Sequence, residues 1–375
     1  MSNLSVRTSL DAYQFVFFLA SGDVDTETAT KLRIRIGSDD YVDFIGTGFT
    51  YDSSGTPTGG TVKSVTSVID GAVQFTMNQF AVPVTSVVAA IQSMNPDAVL
   101  DLFLGTNDRL TGKDGNDVLY GFGGTDSMTG GLGQDSLYGG DGNDKLYADD
   151  SVADHVEGGI GNDTYYIDSL DTVVELDGEG TDTIYVSGYY HLSDSQNAIE
   201  NLYAVGGDTD LAGNALRNTI KGASGNDTLS GLGDRDTIFG GSGNDTIMGG
   251  ADYDRLFGEG GADTIFGDDG TDRIDGGTGN DQLYGGGDDD DKDTFIFYVG
   301  STSFGRDTIH DFEDGTDRIE IHGFTNFAGA VAGGMIITED AGGNAIVKFS
   351  NPIATITLAG LDQSQVTTAD FVFVA

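Results

Sequence analysis

An acidic residue returns every nine positions through much of this sequence, and that clock leaves few folds open. Asp227, Asp236, Asp245, Asp254, Asp263, Asp272 and Asp281 are each nine apart, and Asn218 carries the register one step back. An earlier array runs Asp108, Asp117, Asp126, Asp135, Asp144; one extra residue intervenes before Asp154 and Asp163 resume the step. Two residues after each acid stands an apolar side chain. These are Leu110, Leu119, Met128, Leu137, Leu146, Val156 and Tyr165, then Leu229, Ile238, Ile247, Leu256, Ile265, Ile274 and Leu283. Glycine fills the half-repeat before the acid, as in Gly240-Gly241-Ser242-Gly243-Asn244-Asp245-Thr246-Ile247.

A short period of this kind specifies a stacked, quasi-one-dimensional fold. Six residues of Gly, Asn and Asp make a turn that needs positive φ, where Gly carries no steric cost. Three residues then make a strand whose middle side chain points inward. Two such units close one coil of about 18 residues, and the Leu/Ile column becomes a thin core. The prediction is an all-β chain whose centre is a parallel β-roll, a β-solenoid of nonapeptide repeats.

Stacking also brings one carboxylate per coil into a column faced by backbone carbonyls, and bare, that column repels itself. The whole chain adds to this, with 61 acidic against 17 basic side chains and a net charge of −44. Carboxylate and carbonyl oxygens suit Ca²⁺, which takes 6–8 of them in flexible geometry; Mg²⁺ demands a stricter octahedron. Cysteine is absent, and the four histidines, His155, His191, His310 and His322, lie off the regular acid positions, so transition-metal binding has little support. The same charge repels nucleic acid, and no apolar run is long enough for a membrane-spanning helix.

In these repeats the sequence resembles the RTX family, the glycine-rich nonapeptide (hemolysin-type) calcium-binding proteins, whose established signature this pattern is. The resemblance covers residues 105–165 and 213–284 and implies several Ca²⁺ ions, each between turns 18 residues apart. Carried over, it pairs Asp117/Asp135, Asp126/Asp144, Asp227/Asp245, Asp236/Asp254, Asp245/Asp263, Asp254/Asp272 and Asp263/Asp281. Asp108/Asp126 and Asn218/Asp236 are weaker ends, Asp163 is a further ligand, and Asp281 closes the second array. The implied total is roughly seven to nine ions. Asp234 and Asp252 depart from the pattern by standing where a turn glycine is expected.

The flanks do not repeat. Residues 1–100 read as a small β-rich N-terminal domain. In it, Leu32–Ile36 and Tyr41–Ile45 alternate as strands, Asp52–Pro57 is a turn, and Ser86–Met94 is a short helix. The expected organisation continues with a first calcium-binding roll over 101–165, metal-poor coils over 166–212, a second roll over 213–290 and a C-terminal cap over 291–375. The final Asp370-Phe371-Val372-Phe373-Val374-Ala375 resembles the uncleaved signal of type I secretion. It is therefore expected to serve export and to matter little for folding.

At the N-terminus, Arg7 is followed by Asp11 and only the short apolar block Phe15–Ala20, which reads as a strand rather than a cleaved signal peptide. The expectation is a secreted bacterial protein whose partners are a type I transporter and an extracellular glycan or protein. No zinc-protease motif, nucleophile elbow or phosphate loop is present, so a non-catalytic role is expected. The alternatives are a polysaccharide-acting enzyme with its catalyst in residues 1–100, or a glycan-binding adhesin. The residue after each inward apolar side chain faces outward, which stacks Tyr120 on Tyr138, Phe239 on Phe257, and Met248, Phe266 and Tyr284 in one column.

Overall fold

The computed structural model describes residues 107–375 apart from 113, 193–197, 287–290, 301–303 and 351–352. Before them it describes backbone strands at Asn3–Val6, Asp23–Thr28, Lys31–Arg35, Tyr41–Tyr51, Pro57–Ile69 and Ala72–Pro83. The last five pair antiparallel in chain order. The expected helix at 86–94, the strand at 15–20 and most of the 52–57 turn lie outside the described residues. The chain divides into two compact units, Met1–Asp182 and Thr183–Ala375.

In the first unit the nine-residue units alternate between two parallel sheets. Arg109–Thr111, Ser127–Thr129, Lys145–Tyr147 and Thr164–Ile167 stack in one. Val118–Gly123, Ser136–Asp141, His155–Ile160 and Thr172–Val174 stack in the other. Register follows the clock, with Leu110 on Met128 and Leu119 on Leu137.

The second unit repeats the scheme. Thr219–Lys221, Thr237–Ser242, Arg255–Gly260 and Arg273–Asp275 form one face; Thr228–Leu232, Thr246–Ala251, Thr264–Asp269 and Gln282–Tyr284 form the other. Longer coils extend both faces. Thr294–Tyr298, Arg318–His322 and Phe371–Val374 continue the first, and Arg306–Ile309 and Ile353–Leu358 the second. An antiparallel pair, Ile336–Glu339 with Ala345–Ser350, extends the second face beyond Ile353–Leu358, and the one α-helix among the described residues is Phe327–Ala332.

The inward apolar residues of both arrays are fully buried. One Leu or Ile per nine residues returns only about 2–3 kcal/mol, against about 1–2 kcal/mol for ordering each of those nine backbones. Apolar burial alone does not hold such a coil. The outward aromatics stack as their register requires: Tyr120 and Tyr138 at 4.8 Å between ring centroids, Phe239 and Phe257 at 4.9 Å, Phe266 and Tyr284 at 4.6 Å. His310 completes the last column on Tyr284.

The tight packing of turns needs glycine where coils touch. Gly243 has φ +134°, and a Cβ there would overlap the carbonyl of Gly225 one coil earlier. Gly243→Ala is expected to lower the melting temperature of the calcium-loaded chain by several degrees, while Ser242→Ala on the same turn leaves it unchanged. Equal melts for the two variants would contradict this packing.

The last residues correct an expectation. Phe371–Val374 pairs in parallel with Arg318–His322, Phe371 is buried against that sheet, and buried Asp370 caps the preceding turn by accepting the Thr367 N–H. These residues form an edge strand of the sheet, so their removal is expected to disturb the fold as well as any export role.

Candidate metal centres in the stacked turns

Each predicted metal residue lies in a turn and points inward. Asp108, Asp117, Asp126, Asp135, Asp144, Asp163, Asp227, Asp236, Asp245, Asp254, Asp263, Asp272 and Asp281 are all between 0 and 4% exposed. They sit inside because the acid precedes the strand by one residue, and the strand's own alternation turns positions one before and one after its first residue to the interior.

The carboxylates form columns held by one repeated contact. The backbone N–H of each acid donates to Oδ1 of the acid one coil later. Asp108 donates to Asp126, Asp126 to Asp144, Asp117 to Asp135, Asp236 to Asp254 and Asp254 to Asp272, at 2.7–2.8 Å. Asp227, Asp245 and Asp263 continue the other column of the second unit to Asp281, at 2.8–2.9 Å. The 18-residue pairs read from the sequence are thus brought together.

The second carboxylate oxygen is the informative one. Oδ2 of Asp126, Asp135, Asp144, Asp163, Asp227, Asp236, Asp245, Asp254, Asp263, Asp272 and Asp281 is buried and accepts no hydrogen bond. A buried, unpaired carboxylate oxygen is costly, and it recurs in these eleven turns. It does not stand alone. A Cβ built on Gly231 would meet both Asp236 Oδ2 and the carbonyl of Gly249 from the next coil. Gly222 bears the same relation to Asp227 and Gly240, and Gly258 to Asp263 and Gly276. Carboxylate and carbonyl oxygens from adjacent coils therefore converge, with glycine leaving the space between them clear. This donor set fits a hard, oxygen-seeking cation such as Ca²⁺.

Burial dominates the acidity of these groups. It raises Asp126, Asp236 and Asp272 to about 8, and Asp163, Asp254 and Asp263 to about 7, from 3.8. The backbone N–H bond pulls each partly back, and neighbouring carboxylates push it up again. Asp144 and Asp281 reach about 6 from burial against that same N–H bond. Asp135, Asp227 and Asp245 also move upward through burial. Without a cation, burial shifts the folded columns toward the protonated form.

The columns run further than the nine-residue clock. Asp154 donates to Asp171 and Asp163 to Asp182 in the first unit; Asp272 donates to Asp293, Asp281 to Asp307 and Asp293 to Asp317 in the second. Asp281 is therefore interior to its column and not the end of it. The sequence signal that finds the added acids is the acid followed two residues later by an inward apolar residue, as in Asp307-Thr308-Ile309 and Asp293-Thr294-Phe295.

A second ladder escaped the sequence reading. Turn residues Asn143, Asn162, Asn226 and Asn244 accept the N–H of the residue one coil later through Oδ1, with polarity opposite to the Asp ladder. Asp234 and Asp252 occupy their glycine positions with φ of 63° and 77°, a conformation Asp tolerates better than most residues.

Position in the column sets the effect of charge loss. Asp254→Asn and Asp281→Asn both keep an Oδ1 acceptor and both lie between two neighbours, so each is expected to raise the Ca²⁺ midpoint of folding several-fold. A much smaller shift for Asp281→Asn, measured by far-UV circular dichroism, would contradict the extension of its column to Asp307.

Comparison with known proteins agrees with the repeat geometry. The family model of the RTX calcium-binding nonapeptide repeat (4 copies) matches residues 104–137, 125–151, 133–165, 212–247, 239–274 and 266–291. No curated protein matches the chain. Among solved structures, the AlgE6R3 subunit of the Azotobacter vinelandii mannuronan C5-epimerase is 28% identical, over 36% of this chain and 80% of that one, with a TM-score of 0.28. The AlgE6R2 subunit of the same enzyme is 27% identical over 34% and 91%, with a TM-score of 0.25. The extracellular lipase LipA from Serratia marcescens is 16% identical; the match covers 52% of this chain and 45% of that one, less than half of the lipase, with a TM-score of 0.24. The assignment rests on the family model and on the coils themselves. Both arrays of this chain are RTX calcium-binding nonapeptide repeats.

Proposed function

We propose that the chain is an extracellular, non-catalytic calcium-binding protein whose two arrays take up roughly seven to nine Ca²⁺ ions between successive coils, and whose folding is driven by that uptake. The observation that carries this reading is the row of buried Oδ2 atoms, each without a hydrogen bond and most facing a carbonyl of the next coil. At low cytosolic Ca²⁺ the charge of −44 keeps the chain open and competent for a type I transporter. Outside, Ca²⁺ at about 10⁻⁴–10⁻³ M, the range of extracellular modules, neutralises the turns. Among the described residues no helix is long and apolar enough to cross a membrane. A non-catalytic role fits the burial of the column carboxylates, which closes them to a substrate. The half-buried aromatic columns, such as Tyr120 on Tyr138, are the surface a glycan or protein partner would meet.

Equilibrium dialysis of the full chain tests the proposal. The expected result is several Ca²⁺ bound per chain, undisturbed by an equal concentration of Mg²⁺. Binding of one ion or none, or full competition by Mg²⁺, would overturn it.

A further inference from the structure

We propose that Asp163, Glu175 and Asp182 form an interior cation site of their own, built where the regular repeats place a glycine. Residues 166–212 read from sequence as metal-poor, and Glu175 lies outside the nonapeptide pattern. The proposal takes from the calcium reading only the identity of the ion.

The register shows how the site arises. Tyr120 pairs with Tyr138, Tyr138 with Glu157, and Glu157 with Val174. The next residues along these strands, Gly121, Gly139, Gly158 and Glu175, therefore share one inward column. In the regular coils, Gly121 lies against Asp126 Oδ2 and the Gly139 carbonyl, and Gly139 lies against Asp144 Oδ2 and the Gly158 carbonyl. At Gly158 the pattern changes. Its neighbours are Asp163 Oδ2, the Tyr165 hydroxyl and Glu175 Oε1. The Glu175 carboxylate thus stands where a backbone carbonyl stands beside Gly121 and Gly139 in the preceding coils of this column.

Among the described residues, Asp163, Glu175 and Asp182 are the one set of three potential metal ligands whose ligand atoms all lie within 4.8 Å of one another, and all three are buried. That spacing suits oxygens around an ion bound at 2.3–2.6 Å. A second observation points to a ligand. Glu175 is 1% exposed, its Oε1 accepts the Tyr165 hydroxyl, and its Oε2 has no hydrogen-bond partner. Asp163 Oδ2 is likewise unsatisfied, while Asp163 N–H donates to Asp182 Oδ1 and fixes the third carboxylate beside them. Three carboxylates in place of carboxylates and carbonyls give more ligand charge than a regular turn, and affinity rises with ligand charge count. The site is expected to fill before the others.

The test uses the full chain and the variant Glu175→Gln, which keeps the size of the side chain and its acceptor for Tyr165. Ca²⁺ is counted by equilibrium dialysis, and Eu³⁺ serves as an optical probe, because its excitation line shifts with the total formal charge of its ligands. The expected result is one Ca²⁺ fewer per chain, and loss of a distinct Eu³⁺ line that Asp254→Asn retains. An unchanged ion count with an unchanged Eu³⁺ spectrum would overturn the Glu175 site. If that happened while Asp254→Asn lost ions, the calcium reading of the arrays would still stand. A wild-type chain that binds no Ca²⁺ would overturn both.

Discussion

In chelator at neutral pH the chain is expected to lose most of its far-UV β signal, and to regain it in one cooperative step as Ca²⁺ reaches the millimolar range. Magnitudes decide this. Burial lifts several column carboxylates well above their ordinary value of 3.8, so holding them ionised in a metal-free fold opposes folding. A net stability of only ~5–15 kcal/mol for an ordinary domain leaves little to offset that. The cores cannot make up the difference, because each nine-residue unit buries only one large apolar side chain. Cations that bind Oδ2, in most turns together with a facing carbonyl, remove the penalty along the whole column, and neighbouring coils fold only against each other, so the response is steep. Mg²⁺ is expected to restore little. Equal β signal in chelator and in Ca²⁺ would contradict this.

Acid is expected to replace calcium in part. The relevant carboxylates have folded-state values of about 6–8 against 3.8 in the open chain. A group whose value is raised by folding stabilises the fold below its unfolded value and loses that contribution as pH climbs through the folded one. The metal-free chain should therefore gain β signal near pH 4–5 and lose it between about pH 6 and 8. In the presence of Ca²⁺ the trend reverses, because protons compete for the same oxygens and the Ca²⁺ midpoint falls as pH rises. Circular dichroism in chelator from pH 4 to 8, with sedimentation to exclude aggregates, checks this. A metal-free signal that is flat across that window would sink the account of the columns.

The parts legible in sequence were those that kept strict time. Asp227 to Asp281 and their Leu/Ile partners fix the coil, the inward column and the stacking of Phe239 on Phe257, because an 18-residue coil repeats every side-chain direction. Acids in longer coils were missed as ligand positions. Asp307 lies 26 residues beyond Asp281 in the same column, since an insertion at a turn lengthens a coil without changing which residues enter the strand. Glu175 was missed for a different reason. Its role depends on register with Gly158 in the preceding coil, and nothing in its own neighbourhood marks it. The strand Phe371–Val374 shows the limit of a local pattern, because an acid followed by apolar residues describes a half-buried edge strand as well as a transport signal.

The claim that the Asp columns hold calcium is tested most directly by diffraction from crystals of the full chain grown in Ca²⁺, with anomalous data collected at long wavelength. The account predicts a line of anomalous peaks along each array, each within coordination distance of an Asp Oδ2 and most also of a glycine carbonyl from the adjacent coil, with Asp254 and Asp281 each beside a peak. Well-ordered coils whose Oδ2 atoms remain buried with no peak beside them would contradict it.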